Sequence, residues 1–146
     1  MFLVAAIQIS STDDVDRNLT AIETLVDRAA QYGAKFVATP ENTNFLGPAD
    51  EKVRRAEPLD GPTCTRFAGL AKQHRIHLLL GSFNERGTTS ERCRNTSVLF
   101  GPDGSRLAVY RKIHLFDVDH SDSVRAMESR TIEPGDEHVV AETSLG

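Results

Sequence analysis

The sequence predicts an α/β fold that starts with a parallel βαβ unit and continues into an antiparallel β-hairpin. Phe2–Ile9 is a continuous apolar run of strand length, and the segment after it has apolar residues at helical spacing. A second apolar strand, Lys35–Thr39, follows that helix, and crossovers of this kind are right-handed in nearly all proteins. Asn95–Phe100 and Arg106–Arg111 flank a Gly-Pro-Asp-Gly-Ser turn, which predicts the hairpin.

Two amphipathic helices are predicted. The first covers about residues 14 to 32, because its apolar residues recur every three or four positions. These residues are Val15, Leu19, Ile22, Leu25, Val26, Ala29 and Ala30. Ser10–Asp14 supplies N-cap candidates, and Gly33 stands where a C-terminal cap is favoured. The second helix is predicted at Thr63–His74, with Pro62 in its first turn.

The remaining segments are predicted as one more buried strand and two long loops. Pro40–Pro62 is rich in proline and glycine, which disfavour regular structure, although Asp50–Ala56 could form a short helix. His77–Phe83 is predicted as a buried strand, Lys112–Glu137 as a loop and His138–Glu142 as a last strand. Long loops in compact domains are often functional, which makes Pro40–Pro62 a candidate location for a site.

Composition narrows the classes of partner and compartment. The chain has 146 residues, with 17 basic and 21 acidic side chains and a net charge of −4. Without a basic run there is nothing to neutralise a phosphate backbone or an anionic membrane, so we expect no nucleic acid and no membrane as partners. Phe2–Ile9 lacks the charged flank of a signal peptide. Cys64 and Cys93 have no metal-ligand spacing, which favours a reducing, cytoplasmic location.

The sequence contains no motif for a metal or a nucleotide cofactor. The glycines form neither of the usual phosphate-binding patterns. His74 and His77 lie at a predicted helix end and strand start without a third ligand nearby, so we expect no zinc site there. Asp13–Asp16 lacks the glycine and glutamate of a calcium loop and is interpreted as an acidic helix N-terminus.

Two charged residues stand beside predicted strand ends. Glu41 follows the strand Lys35–Thr39, at the carboxyl end where open α/β sheets place their ligands. Lys112 follows Arg106–Arg111 and is surrounded by apolar residues. If the two converge in a buried site, each needs a charged partner. The alternative is that Glu41 caps a loop or pairs with a surface arginine, and that Lys112 extends into solvent.

These segments occur in a characteristic order along the chain. The order is the strand ending at Gln8, Pro40-Glu41-Asn42, Asn95-Thr96-Ser97, Gly101-Pro102-Asp103-Gly104, Tyr110-Arg111-Lys112-Ile113-His114-Leu115-Phe116-Asp117, Glu128-Ser129 and Pro134-Gly135-Asp136. Together they resemble the nitrilase, or carbon-nitrogen hydrolase, superfamily. The part from Tyr110 onward is most similar to the small amidase branch, which includes omega-amidases and deaminated-glutathione amidases.

The resemblance implies a four-layer αββα sandwich, of which this chain is about the N-terminal half. It also implies hydrolysis of nonpeptide C–N bonds, from a small-molecule amide to a carboxylic acid and ammonia, by a Cys-Glu-Lys triad. Glu41 matches the general base, Lys112 the cation that stabilises the oxyanion, and Glu128 a supporting acid. No metal or organic cofactor is implied, and the full-length form is expected to be a homo-oligomer.

The chain departs from the family pattern at the nucleophile. The resemblance places the catalytic cysteine after the Pro-Gly-Asp segment, whereas Cys64 and Cys93 both precede Lys112. We therefore expect residues 1–146 to be a carbon-nitrogen hydrolase domain truncated before the nucleophile, and inactive alone. A noncatalytic binding or oligomerisation module is the alternative, and an unrelated α/β binding domain is a third possibility.

Overall fold

The computed structural model describes residues 1–121 and 124–146. A five-stranded sheet and two longer helices account for most of its regular structure. In chain order the elements are β1 (Leu3–Ala6), α1 (Val15–Gln31), β2 (Ala34–Ala38), α2 (Ala49–Arg54), α3 (Pro62–His74), β3 (His77–Arg86), β4 (Cys93–Phe100), β5 (Arg106–Arg111), β6 (Asp117–Ser121), β7 (Val124–Met127) and a 3₁₀ turn (Glu128–Arg130). None of the described helices is long and apolar enough to cross a membrane.

The sheet is mixed, and its strands are adjacent in chain order. β1, β2 and β3 pair in parallel, whereas β3, β4 and β5 pair antiparallel. β6 and β7 form a separate antiparallel pair. The predicted α/β class, with its parallel start and its hairpin, is confirmed.

Both long helices cover the same face of the sheet. Leu19, Ile22 and Val26 of α1 are 3%, 0% and 0% exposed and belong to one apolar cluster that includes Phe67 of α3. The sheet residues of this cluster are Ala34, Val37, Leu78, Leu80, Phe83, Val98 and Phe100. The described helices and the main sheet therefore form two packed layers.

The first helix is also hydrogen-bonded to the loop after β2, which contains Glu41. The Asp14 side chain caps α1 by accepting a hydrogen bond of 3.0 Å from the backbone N–H of Arg17. Asn18, only 1% exposed, donates from Nδ2 to the carbonyl oxygens of Thr12, at 2.7 Å, and Asn44, at 3.0 Å. Since buried amides need such partners, Asn18 holds the loop after β2 against the helix.

Several predicted element bounds differ from the structure. β1 is shorter than Phe2–Ile9, since its regular pairing with β2 ends at Ala6. β3 extends to Arg86, because it stays paired with β4 beyond the apolar residues that signalled the strand. Polar residues in a paired strand carry no apolar pattern, so sequence periodicity underestimates the length of such strands.

The two predicted loops contain regular structure, and one predicted strand was wrong. The short helix within Pro40–Pro62 is confirmed as α2, at Ala49–Arg54. The region Lys112–Glu137, predicted as a loop, contains β6, β7 and the 3₁₀ turn. Residues 138–142 form no strand, and no described strand pairs with them. A strand needs a hydrogen-bonding neighbour, which an apolar sequence alone does not supply.

Candidate active site

Three charged side chains that are distant in the sequence meet at one end of the sheet. Glu41 follows β2, Lys112 follows β5, and Glu128 begins the 3₁₀ turn. Lys112 Nζ lies 3.0 Å from Glu41 Oε1 and 3.1 Å from Glu128 Oε2. The convergence that the sequence left open is therefore present, and Lys112 is paired with two carboxylates at once.

The turn that carries Glu41 is attached to β3. Asn42 has a φ of 52°, a left-handed conformation that asparagine tolerates better than most residues. Its backbone N–H donates to Ser82 Oγ at 2.8 Å, and the N–H of Thr43 donates to the Ser82 carbonyl at 2.9 Å. These bonds fix the backbone directly after Glu41, so the carboxylate is presented from a turn that is attached to β3.

Gly81 makes the close approach of this turn to β3 possible. A Cβ at Gly81 would lie 1.9 Å from the carbonyl oxygen of Thr39 and 2.6 Å from that of Pro40. Neither contact could be relieved by rotating a side chain, because both involve backbone atoms. Only glycine therefore allows β3 and the Thr39–Pro40 backbone to lie this close.

Asn95 is a site residue whose role no sequence pattern predicts. It lies on β4, and its Nδ2 donates to Glu41 Oε1 at 2.6 Å. Its carbonyl oxygen also accepts from the backbone N–H of Lys112 at 2.9 Å. One residue thus orients the carboxylate and positions the lysine. The available signal was its place in the motif Asn95-Thr96-Ser97, without any indication of a partner.

Glu128 is held by backbone atoms as well as by the lysine. Its Oε2 accepts from the N–H of Phe116 at 2.7 Å, and its own N–H donates to the Phe116 carbonyl at 3.2 Å. The side chain is 17% exposed, compared with 54% for Glu41. Glu128 therefore faces a more enclosed environment and fixes the lysine, whereas Glu41 is open to the pocket.

The ion pairs keep both Glu41 and Lys112 charged. Burial raises the pKa of Glu41, but hydrogen bonds from Lys112 and Asn95 outweigh it and hold the pKa below its ordinary value. Burial lowers the pKa of Lys112, but its bonds to Glu41 and Glu128 outweigh it, so that the pKa lies above its ordinary value. At neutral pH the site consists of a carboxylate beside a fixed ammonium group.

A cavity of about 400 Å³ opens beside these groups. Its lining comprises Glu41, Asn42, Ala49, Lys52, Lys112, Phe116, Ala126, Met127, Glu128, Thr131 and Ile132. Apolar walls with a few convergent polar groups are typical of small-molecule sites. The arrangement suits a small ligand whose polar group meets Glu41 and Lys112.

Neither cysteine lines this cavity. Cys64 is 3% exposed on α3, and Cys93 is 0% exposed and packs against Ile132 behind the cavity wall. Burial, as the largest cause, raises the pKa of Cys64 to about 12 and that of Cys93 to about 11. Because the thiolate is the nucleophile, these two thiols are in an unreactive state.

We expect both thiols to resist alkylation in the folded chain. A pKa of about 11, against the ordinary 9.0, reduces the thiolate population by about 100-fold, and burial also limits access. Iodoacetamide at pH 7 with mass-spectrometric detection should modify both cysteines at least about 100-fold more slowly in buffer than in urea. Rapid labelling of Cys93 in the native chain would contradict this environment.

His74 and His77 lie in different surroundings in the structure. His74 Nε2 lies 2.6 Å from Asp27 Oδ1, whereas His77 is a buried residue of β3. Within residues 1–121 and 124–146, no group of three or more potential metal ligands comes together.

Sequence and structure comparisons identify relatives of this chain. The sequence profile of the carbon-nitrogen hydrolase family matches residues 3–146. The chain is 37% identical over 142 residues to omega-amidase NIT2 of Xenopus tropicalis, covering 97% of this chain and 51% of that protein. It is 34% identical over 142 residues to the deaminated glutathione amidase of Synechocystis, covering 94% of this chain and 51% of that protein.

Solved structures with a similar fold match most of this chain. The NitFhit protein of C. elegans superposes with a TM-score of 0.85 and 29% identity, over 94% of this chain and 34% of that one. Nit3 of Saccharomyces cerevisiae, a nitrilase-superfamily member, superposes with a TM-score of 0.81 and 28% identity, over 97% and 51% of the two chains. These neighbours confirm the predicted nitrilase-type α/β fold, and the chain spans about half the length of the curated relatives it matches. By sequence and by fold, the chain belongs to the carbon-nitrogen hydrolase family.

Proposed function

We propose that this chain carries the general base and the oxyanion-stabilising cation of an amidase that converts a small amide to a carboxylic acid and ammonia. The observation that carries the proposal is the ammonium group of Lys112, held between Glu41 and Glu128 at the edge of a small cavity. Relatives named as omega-amidase and deaminated glutathione amidase support a small-molecule amide as the substrate.

Each of the three residues has a chemical role in this proposal. Glu41 takes the proton of a thiol, whose sulfur then attacks the amide carbon. Lys112 stabilises the negative charge that develops on the carbonyl oxygen. The C–N bond breaks as Glu41 returns the proton to the departing nitrogen, which leaves as ammonia. Water, deprotonated by Glu41, then attacks the thioester. The C–S bond breaks, the acid is released, and Glu41 returns the proton to the departing sulfur. Glu128 keeps Lys112 in position throughout.

The proposal places the nucleophilic thiol outside residues 1–146. Cys64 and Cys93 are buried, have raised pKa values and do not line the cavity, so neither meets the requirement for an exposed thiolate beside Glu41. Their free, unpaired state is consistent with a reducing, cytoplasmic setting, which we also propose.

Ammonia release from glutaramate tests this assignment. The 146-residue chain should release no more ammonia than buffer, and Cys64→Ser and Cys93→Ser should not change the result. A form that continues past Gly146 into the missing nucleophile should be active, and Glu41→Gln in that form should lower kcat by about 10²- to 10⁴-fold, the usual contribution of a general base. Turnover by the 146-residue chain that disappears with Cys93→Ser would refute the placement of the nucleophile.

A noncatalytic binding or oligomerisation module is the second candidate. It is favoured by the exposed apolar residues Phe2, Leu3 and Val4 at the β1 edge, which are 44%, 50% and 54% exposed. Contiguous exposed apolar residues often mark interaction surfaces. Two results would favour this candidate. Light scattering would show a stable oligomer, and a form of the protein that continues past Gly146 would bind amides without hydrolysing them. Homo-oligomerisation also remains a proposal for the enzyme.

A further inference from the structure

The basic residues of α2 differ in how they are neutralised. Arg54 pairs with Asp50 and Glu51 inside the helix, and Arg55, which caps its C-terminal end, pairs with Glu51. Lys52, two residues before Arg54, forms no ion pair with any residue in the described part of the chain. The positions three and four residues away from it are Pro48, Ala49, Arg55 and Ala56, and none of them is acidic. The helix therefore offers Lys52 no partner at the spacings where side chains meet.

Lys52 faces the cavity instead of that surface network. It is half-buried, and it lines the cavity together with Ala49, three residues earlier on the same helix face. The cavity thus contains two lysines in different states. The ammonium group of Lys112 is already shared by Glu41 and Glu128, whereas that of Lys52 has no such anion.

The charge of Lys52 acts within the site. Burial raises the pKa of Glu41, and Lys52 is one of the positive charges that together hold it below its ordinary value. Burial likewise raises the pKa of Cys93, and the charge of Lys52 opposes that rise. The charge of Lys52 therefore acts both on the carboxylate that lines the cavity and on the buried thiol behind its wall.

We propose that Lys52 is a specificity-determining residue that binds an anionic group, such as a carboxylate, on the amide substrate. This inference rests on the proposed amidase function, because it assumes that the amide end lies at Glu41 and Lys112. A single ammonium group matches one monoanion, and the walls formed by Phe116 and Met127 suit the aliphatic segment between the two ends. The favoured substrates are short amides with a remote negative charge.

Three ligands of the same length distinguish the contributions that the amide end and the anionic end make to binding. Glutaramate carries an amide and a carboxylate, glutaramide carries two amides and no charge, and glutarate carries two carboxylates. Each is titrated into the ¹⁵N-labelled 146-residue chain at pH 7, and Kd is obtained from chemical-shift changes at the cavity. We expect glutaramate to bind about fivefold more tightly than glutaramide, the gain typical of a partly exposed ion pair.

Substitution of Lys52 tests whether this residue is the origin of the preference. Lys52→Met should weaken glutaramate binding about fivefold and leave glutaramide unchanged, whereas Lys52→Arg should retain the preference. Lys35→Met is the matched control, since it removes one positive charge from an exposed position outside the cavity lining. It should preserve the ratio of the two Kd values.

The outcomes separate this inference from the proposed function. Equal affinity for glutaramate and glutaramide, or a preference that survives Lys52→Met, overturns the role of Lys52 while amide binding still stands. Binding of glutarate and glutaramate that depends on Lys52, without any binding of glutaramide, supports the anion site and counts against amide recognition. Failure of all three ligands to bind overturns the inference.

Discussion

Replacing Gly81 by alanine is expected to destabilise the chain by about 3 kcal/mol and to displace Glu41, because overpacking against rigid backbone cannot be relieved locally. The new methyl carbon would start 1.9 Å from the Thr39 carbonyl oxygen. Either β3 or the turn after β2 has to move, and that turn carries the carboxylate of the site. Urea denaturation followed by circular dichroism measures the loss, and amide chemical shifts of Glu41 and Asn42 report the displacement.

Gly69→Ala is the matched control for this substitution. Gly69 is exposed on α3, and a Cβ there would meet no atom within 4 Å. Because alanine is favoured over glycine inside a helix, this change should stabilise the chain by about 0.5–1 kcal/mol. If the two variants unfold at the same urea concentration, the close approach at Gly81 does not constrain the fold.

Lys112→Met is expected to have the largest effect on chemistry. It removes the cation between two carboxylates and leaves Glu41 and Glu128 without an ammonium partner. In an active form of the protein, kcat should fall by about 10²- to 10³-fold, as when one oxyanion-stabilising donor is lost. In the 146-residue chain, the pKa of Glu41 should rise, which ¹³C detection of the carboxyl group measures directly.

The pH dependence of stability gives an independent readout of Lys112→Met. Because the pKa of Glu41 is lower in the folded than in the unfolded chain, its ionisation stabilises the native state above the unfolded pKa. That contribution is lost as the pH falls through the folded pKa. Lys112→Met should therefore lower stability at pH 7 and have a diminishing effect under acid. Lys35→Met, on an exposed position of β2, should cause no such change, and identical profiles for the two variants would contradict the role of the ion pair.

Local sequence patterns predicted the helices better than the strands and the site. The apolar stripe of α1 and the turn between β4 and β5 are local features, and the structure confirms both. The hairpin of β6 and β7 was missed, because its stability depends on pairing and not on an apolar pattern. His138–Glu142 shows the reverse error, an apolar segment that has no paired strand among the described residues.

Local apolar patterns did not predict the residues of the candidate site. Position relative to strand ends singled out Glu41 and Lys112, and the family resemblance added Glu128. The hydrogen bonds of Asn95, the close approach at Gly81 and the cavity position of Lys52 have no local signature. They depend on which strands are neighbours and how closely they pack. The catalytic roles themselves stay predictions.

The sequence alone determined the α/β class, the two long helices and the residue types available for chemistry, because propensity and periodicity act over a few neighbouring residues. Only the tertiary structure decided that Glu41 and Lys112, 71 residues apart, form an ion pair, and that both cysteines are buried away from the cavity. Pairing and burial are properties of the packed sheet. They keep Glu41 and Lys112 charged and both thiols protonated, which residue types alone do not determine.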